Sequence, residues 1–492
     1  MNYANPLKPS ERMKIPRQHS IEQLAGERSQ NFLEVSSGLN EEFARVEAAR
    51  CLECKEPICI EGCPVGIDIK SFIQDVIRGD YLAAVNKIRE ANYLPSICGR
   101  VCPQESQCEQ VCTLGKKHDP VAIGKLERFV ADYELQHNLF ITPIIKEHRH
   151  GKVAIVGSGP AGLTCAAELA KMGYQVTIFE ALHAAGGVLR YGIPEFRLPR
   201  KILDTEVERI KSLNVEIYTN FVVGRTATID ELFDEWKFDA IFLGTGAGTP
   251  TFMNIPGESL SGAYSANEFL TRVNLMKAYQ FPDYDTPIKI GTEVAVIGGG
   301  NTAMDAVRTA KRVGAKKAYL IYRRSREEMP AREEEIHHAE EEGVEFVLLT
   351  NPIRILGDKN KWVSGIECQR MDLGEPDDSG RRRPVPVKGS EYIIPVQTVI
   401  EAIGQKPNPI IQSTTDGLET GNRGTVVVND QQRTSREGIF AGGDLSRGGA
   451  TVILAMRDGK TAAMAIHQYL LAKKDNETVL STTERVSARV NV

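Results

Sequence analysis

Eight of the ten cysteines in this 492-residue chain lie between Cys51 and Cys112, and only Cys165 and Cys368 fall elsewhere. They form two runs of four: Cys51, Cys54, Cys59 and Cys63, the last followed by Pro64, then Cys98, Cys102, Cys108 and Cys112. Disulfide frameworks belong to small secreted domains, so in a chain of this length the sulfurs read as metal donors. Thiolates suit zinc or iron–sulfur clusters. Zinc ribbons pair C-x2-C knuckles, whereas a close run ending in Cys-Pro is an iron–sulfur pattern, here with altered middle spacing. In two-cluster versions of that pattern the Cys before Pro serves the other cluster, so interleaved ligands are expected. Cys165, within an Ala-rich helix, and the isolated Cys368 read as core residues. No C-x-x-C pair follows residue 150, so a disulfide exchange beside a flavin has no sulfur pair to use.

Two glycine turns supply a second chemistry. Gly157, Gly159 and Gly162, with Pro160 and Ala161 between the last two, fit G-x-G-x-x-G between a strand (Val153 to Val156) and a helix. The backbone can approach a pyrophosphate there, and the helix N-terminus offers free N–H groups to it. Glu180 stands about 20 residues on, at the end of the next strand, where a carboxylate binds a ribose 2′-OH and repels a 2′-phosphate. The segment Gly186 to Pro194, with Gly187 and Gly192, suits the back of an isoalloxazine ring. Near the C-terminus Gly442, Gly443 and Asp444 end a strand at a helix N-terminus, with the Asp able to accept from a ribityl chain. Together these favour FAD. The second turn, Gly298, Gly300, Asn301, Thr302 and Ala303, fits G-x-G-x-x-A. Its following strand ends in Arg323 and Arg324, whose guanidinium groups suit a ribose 2′-phosphate and so NADPH over NADH. A solvated basic turn is the plainer alternative. Arg326 and Arg332 could assist, although Glu327, Glu328 and Glu333 to Glu335 neutralise part of that charge.

These motifs need an α/β architecture with two Rossmann-like nucleotide-binding domains, preceded by an α-helical iron–sulfur domain holding two clusters. The FAD domain is interrupted by an inserted NAD(P) domain. The expected division is 1–145 for the helical cluster domain, 146–285 for the first part of the FAD domain and 286–395 for the inserted NADPH domain. The second part of the FAD domain follows at 396–475, then a polar tail at 476–492 that frays. Ser71 to Arg89 and Ile123 to Leu135 carry amphipathic helical spacing. Arg381 to Arg383 read as a solvated loop and Glu340 to Glu342 as an exposed helix face. A net charge of −5 gives no basic field for nucleic acid or an anionic membrane. No apolar window of about 18 residues predicts membrane insertion, and no leader-like apolar run follows the first basic residues, so a cytoplasmic location is expected.

The texts RCLECKEPICIEGCPVGI, LPSICGRVCPQESQCEQVC, VAIVGSGPAGL, VAVIGGGNTAMD, YRRSREEMP, GEPDDSGRRR and IFAGGDLSRGGATVILAMRDGKTAA carry a family resemblance. Over nearly all of residues 45–470 the sequence resembles the small subunit of bacterial NADPH-dependent glutamate synthase. Electron-bifurcating NADH-dependent ferredoxin:NADP oxidoreductases, sulfide dehydrogenase-like proteins and the N-terminal part of dihydropyrimidine dehydrogenase look alike. The resemblance implies two [4Fe–4S] clusters, one on Cys51, Cys54, Cys59 and Cys112, the other on Cys63, Cys102, Cys108 and a fourth ligand. Spacing nominates Cys98 for that place, and the resemblance nominates Glu127. It further implies hydride transfer from NADPH to FAD and electron release to the clusters, chemistry that needs no protein acid or base. The implied partner is a larger glutamate synthase-type subunit or a ferredoxin-linked one. No glutaminase nucleophile follows Met1, so glutamate formation from glutamine is not expected of this chain alone. A scaffold with degenerate cofactor folds is disfavoured by the intact glycines, Glu180, Asp444 and all eight cysteines.

Overall fold

The computed structural model describes residues 7–490 apart from Lys146 and Ser379, with side chains to residue 474. Expectations placed on Met1 and on side chains of the 476–492 tail lie outside the described residues. The cysteine module is helical, as its periodicity predicts, but its first amphipathic stretch is two helices. Ile69–Arg78 ends at Gly79, whose φ of +80° stops the helix, and Tyr81–Arg89 starts at once, with Asp80 capping the Ala83 N–H. Phe72, Ile73, Val76, Val85 and Ile88 from this pair meet Leu126 and Val130 of Ile123–Gln136 in a shared core. Each such fully buried side chain stabilises by about 1.5–3 kcal/mol.

Two parallel five-stranded sheets follow. The first runs, edge to edge, Ile439–Ala441, Ala240–Leu243, Lys152–Val156, Gln175–Phe179 and Glu216–Tyr218. Its first edge strand comes from the C-terminal region, so this domain is built from two separated segments around an insertion. The second sheet runs Glu345–Val347, Lys317–Ile321, Glu293–Ile297, Thr398–Glu401 and Ala263–Ser265. The boundaries at 286 and 395 are therefore too narrow: residues 263–265 and 398–401 are strands of the inserted domain. Thr398–Glu401 is buried throughout and pairs on both sides, which fixes its membership by hydrogen bonding rather than by sequence position. An antiparallel layer, Thr350–Gly357, Val363–Pro376, Arg382–Pro386 and Tyr392–Ile394, lies in sequence between Glu345–Val347 and Thr398–Glu401 of the second sheet. In each parallel sheet the central strand leads into a glycine turn, the position where open α/β sheets bind ligands. The last helix, Val452–Val490, continues where the polar tail predicts fraying.

Buried ion pairs join the parts. Arg89 lies between Glu134, at 2.7 Å, and Glu206, and Arg209 reaches Glu134 at 2.8 Å, locking the cysteine module onto the first nucleotide domain. An N-terminal strap crosses to the second domain, where Arg28 pairs with Glu341 and Glu342. Glu342 is not on an exposed face: it is buried and also binds Arg308 and Arg312 at 2.7 Å. Burial would raise its pKa, but hydrogen bonds from Arg312 and Arg308 hold the carboxyl well below the usual range.

Candidate functional site

At the first turn the buried strand Lys152–Val156 delivers Gly157 with a φ of +101°, a left-handed conformation that favours glycine. A side chain at Gly162 would collide with the Gly157 carbonyl, so helix and turn approach as closely as backbone allows. Gly159 caps helix Pro160–Lys171, and Pro160 occupies its first turn without losing a needed N–H. Above Gly159 there is open space where a Cβ would stand. Glu180 is buried and accepts from Ser158 N at 3.0 Å, Ser158 Oγ at 2.5 Å and Leu182 N at 2.8 Å. It therefore holds the turn, and a carboxylate's roughly four lone-pair sites leave capacity for a ribose hydroxyl. Gly187 folds over the turn, and a Cβ there would come within 2.8 Å of the Gly159 Cα. Gly192 closes the short helix Val188–Tyr191.

Two residues of this crevice escape sequence reasoning. Tyr191 is one: burial pushes its hydroxyl pKa up, and the charges of Asp444 and Glu180 add to that. Asp458 is buried on the last helix, accepts from Gly443 N at 3.0 Å and binds Arg447. Asp444 accepts from Ala450 N at 3.1 Å, and burial pushes its pKa up to about 6. Bare glycine backbone, a helix N-terminus and flanking acids fit the pyrophosphate and hydroxyls of a dinucleotide.

At the second turn Gly298 has a φ of +144° and Gly300 caps helix Asn301–Arg312, with Ala303 buried beneath and Thr302 exposed. The arginine pair divides. Arg323 is exposed, whereas Arg324 is buried, donating to Asp377 Oδ2 at 2.6 Å and to the Arg382 carbonyl at 2.7 Å. Arg324 is thus a structural anchor for the 363–386 hairpin, not a free cation for a phosphate. Arg382 likewise does not belong to a merely solvated loop. Arg332 turns its side chain away from the turn: its guanidinium donates to the Arg100 carbonyl at 3.0 Å and to Gln104 Oε1 at 3.3 Å, inside the cysteine module. Glu401, also missed, ends the strand beside the turn and accepts from Met253 N at 3.1 Å, with burial pushing its pKa up to about 7.

The thiols separate into two neighbourhoods. Cys59 is pushed up to about 12 by burial and by the nearby Cys51, Cys112 and Cys54, and Cys51 to about 11 by burial with Cys112 and Cys54 beside it. In the other neighbourhood burial raises Cys63 to about 11, with Glu127 and Cys102 adding to it. Cys108 is raised by burial, Glu109, Cys63, Glu127 and Cys102. Cys102 is raised by its hydrogen bond with Cys98 and by burial, with Arg332 opposing. Among the described residues no three His, Cys, Asp or Glu side chains converge tightly enough for a single ion. A polynuclear cluster places a separate iron under each thiolate, so its donors need not converge on one point. The first neighbourhood is partly exposed and the second mostly buried. Buried Glu127 accepts from Asn92 Nδ2 at 2.7 Å, while Cys98 Sγ lies 3.4 Å from Met456 Sδ on the last helix. Cys165 and Cys368 are core residues.

Residues 151–459 match the family described as pyridine nucleotide-disulphide oxidoreductase. Residues 28–139 match dihydropyrimidine dehydrogenase domain II, 4Fe-4S cluster. The NADP(+)-dependent formate dehydrogenase subunit beta of Moorella thermoacetica is 43% identical over 86% of this chain, which spans 61% of that relative. The glutamate synthase [NADPH] small chain of Halomonas elongata is 36% identical over 93% of this chain and 97% of its own length. Among solved structures, FprA from Mycobacterium tuberculosis in complex with NADPH superposes with a TM-score of 0.55 over 67% of this chain and 86% of its own, at 21% identity. That likeness is one of fold. Among the described residues no helix is long and apolar enough to cross a membrane.

Proposed function

The chain belongs to the pyridine nucleotide-disulphide oxidoreductase family and to the family of glutamate synthase small chains, and from that premise we propose that it is an NADPH-oxidising electron-transfer subunit. One observation carries the reading. The sulfurs form a mostly buried neighbourhood, with Cys98 packed against the last helix of the first domain, and a partly exposed one. Bound FAD supplies the exchange between two-electron nicotinamide chemistry and one-electron iron–sulfur chemistry. The Gly157–Gly162 turn and helix Pro160–Lys171 hold its pyrophosphate, Glu180 a ribose hydroxyl, and Gly187, Gly192, Tyr191 and Asp444 line the remainder. Gly298, Gly300, Asn301, Thr302 and Ala303 hold NADPH, with Arg323 on the 2′-phosphate. Cys51, Cys54, Cys59 and Cys112 hold one [4Fe–4S] cluster, and Cys63, Cys102, Cys108 and Glu127 hold the other. No dithiol pair follows residue 150, so the clusters are the electron exit in spite of the disulphide in the family description.

The partner in this reading is a larger glutamate synthase-type subunit in the cytoplasm, which delivers the electrons to 2-oxoglutarate and glutamine-derived ammonia. A second reading rests on the higher identity to a formate dehydrogenase subunit: the same module serves a different large partner, including a ferredoxin-linked one. An anaerobic pull-down from the native cell, followed by assay of the complex, separates the two. In the anaerobically purified chain NADPH should bleach the flavin absorbance at least about tenfold more efficiently than NADH, the value of one charge-assisted bond. Arg323→Ala should erase that preference, and Arg324→Ala should leave it intact while lowering thermal stability. Purified chain that carries neither flavin nor iron would sink the proposal.

A further inference from the structure

Arg332 belongs by sequence to the second nucleotide domain and by contact to the cysteine module. Its backbone N–H donates to Asn301 Oδ1 at 3.0 Å, and its neighbour Ala331 donates to the Gly299 carbonyl at 3.2 Å. Both acceptors lie in the second glycine turn. Its side chain, only 8% exposed, reaches the opposite way to the Arg100 carbonyl and to Gln104 Oε1, the residues two before and two after Cys102. Its Nε lies 3.3 Å from Glu105 Oε1, and its Nη2 lies 3.0 Å from Glu334 Oε2. Gln104 passes the contact inward: its Nε2 donates to the Cys98 carbonyl at 3.1 Å, and its side chain lies against Gly124 on the helix that carries Glu127. Lys125, on the same helix, pairs with Glu334 at 3.5 Å. Arg332 thus links the nucleotide turn, through its backbone, to the segment that carries the buried sulfurs, through its side chain.

Resting on the proposed function, we propose that Arg332 is a positioning residue that couples nucleotide occupancy of the Gly298–Ala303 turn to the reduction potential of the cluster held by Cys63, Cys102 and Cys108. Two physical effects combine in it. A guanidinium keeps its charge at any working pH, and a buried positive charge beside a cluster favours the more negative, reduced state. Its position is set by Asn301 and Gly299, so phosphate binding at their turn moves the charge and the backbone flanking Cys102. The coupling is reciprocal: reduction of that cluster changes the affinity for the nucleotide by the same factor. Among the described residues Arg332 makes no hydrogen bond to Cys51, Cys54, Cys59, Cys112 or their immediate neighbours, so the cluster proposed there serves as an internal control.

The test uses anaerobic holoprotein and 2′-phospho-ADP-ribose, a probe that keeps the 2′-phosphate and pyrophosphate but lacks the redox-active ring. Potentiometric titration followed by low-temperature EPR should show the probe shifting the midpoint of the buried cluster and leaving the other in place. In Arg332→Gln the buried cluster's midpoint should fall, and its response to the probe should vanish. Arg332→Lys, which keeps the charge but not the fork, should restore most of the midpoint and none of the response. An unchanged response in either variant overturns the proposal. So does a wild-type buried cluster that ignores the probe, a measurement that needs no variant to fold. Absence of the second cluster's signal from wild type would instead mark failure of the underlying functional reading.

Discussion

Glu127→Ala should cost the chain about half its iron, roughly four atoms, while Cys98→Ala should keep all of it. Both residues are buried near Cys102, and each is a candidate for the fourth ligand of the proposed second cluster. Their other contacts differ. Glu127 sits deep enough that burial alone pushes its pKa up to about 8, with a single hydrogen bond from Asn92 in opposition. A carboxyl in such a place stays protonated unless a positive charge stands beside it, and a cluster iron would be such a charge. Cys98 already has neighbours suited to a neutral thiol: Met456 Sδ at 3.4 Å, Asn92 Oδ1 at 3.8 Å and the Cys102 sulfur. The readout is iron per flavin, with the EPR spectrum of the dithionite-reduced protein showing which cluster is left. FAD content, which the cysteine module does not supply, reports whether each variant has folded. Loss of a whole cluster from folded Cys98→Ala would reverse the assignment.

What the sequence makes legible here is local, and what it hides is pairing. The glycine turns, Glu180 and the double Rossmann grammar rest on spacings within about 30 residues, and each is found where the spacing puts it. Ala263–Ser265 and Thr398–Glu401 are short strands far apart in the chain, and only their shared neighbourhood with Glu293–Ile297 assigns them to the inserted domain. The arginine dipeptide fails for a different reason. The strand ends at Ile321, and in the bend beyond it Arg323 faces solvent while Arg324 meets Asp377, so adjacent residues of one type part company. Helical spacing does the same to the acidic run: Glu340 is exposed, and Glu342, two residues on, turns inward to three arginines. Composition reads such stretches as uniform, whereas burial treats each residue separately. Arg332 is the extreme case, since nothing in its flanking sequence names the cysteine module as its destination.

Gly459→Ala should release FAD although it improves the local helix. The residue lies within the last helix, in an α conformation that alanine adopts more readily, and propensity alone favours the change by about 1 kcal/mol. Packing decides otherwise. A Cβ at Gly459 would sit 3.0 Å from the Ala161 carbonyl carbon and closer still to its oxygen, in the first turn of the helix proposed to hold the pyrophosphate. Neither side can yield by a rotamer change, because an alanine Cβ has no rotamer and the Ala161 carbonyl is backbone. Overpacking of this kind costs about 1–3 kcal/mol, which offsets or exceeds the propensity gain. Relief requires the two helices to separate, and that separation opens the floor of the flavin crevice. It also moves Met456 on the same helix away from Cys98. The expected result is a fall in flavin-to-protein ratio and about a tenfold weaker rebinding of FAD, with iron content largely kept. Gly26→Ala, where a Cβ meets nothing within 4 Å, is the matched control and should be neutral or slightly stabilising. Full flavin retention in Gly459→Ala would mean that the helices part without disturbing the turn, and that the close approach at Ala161 does not define the site.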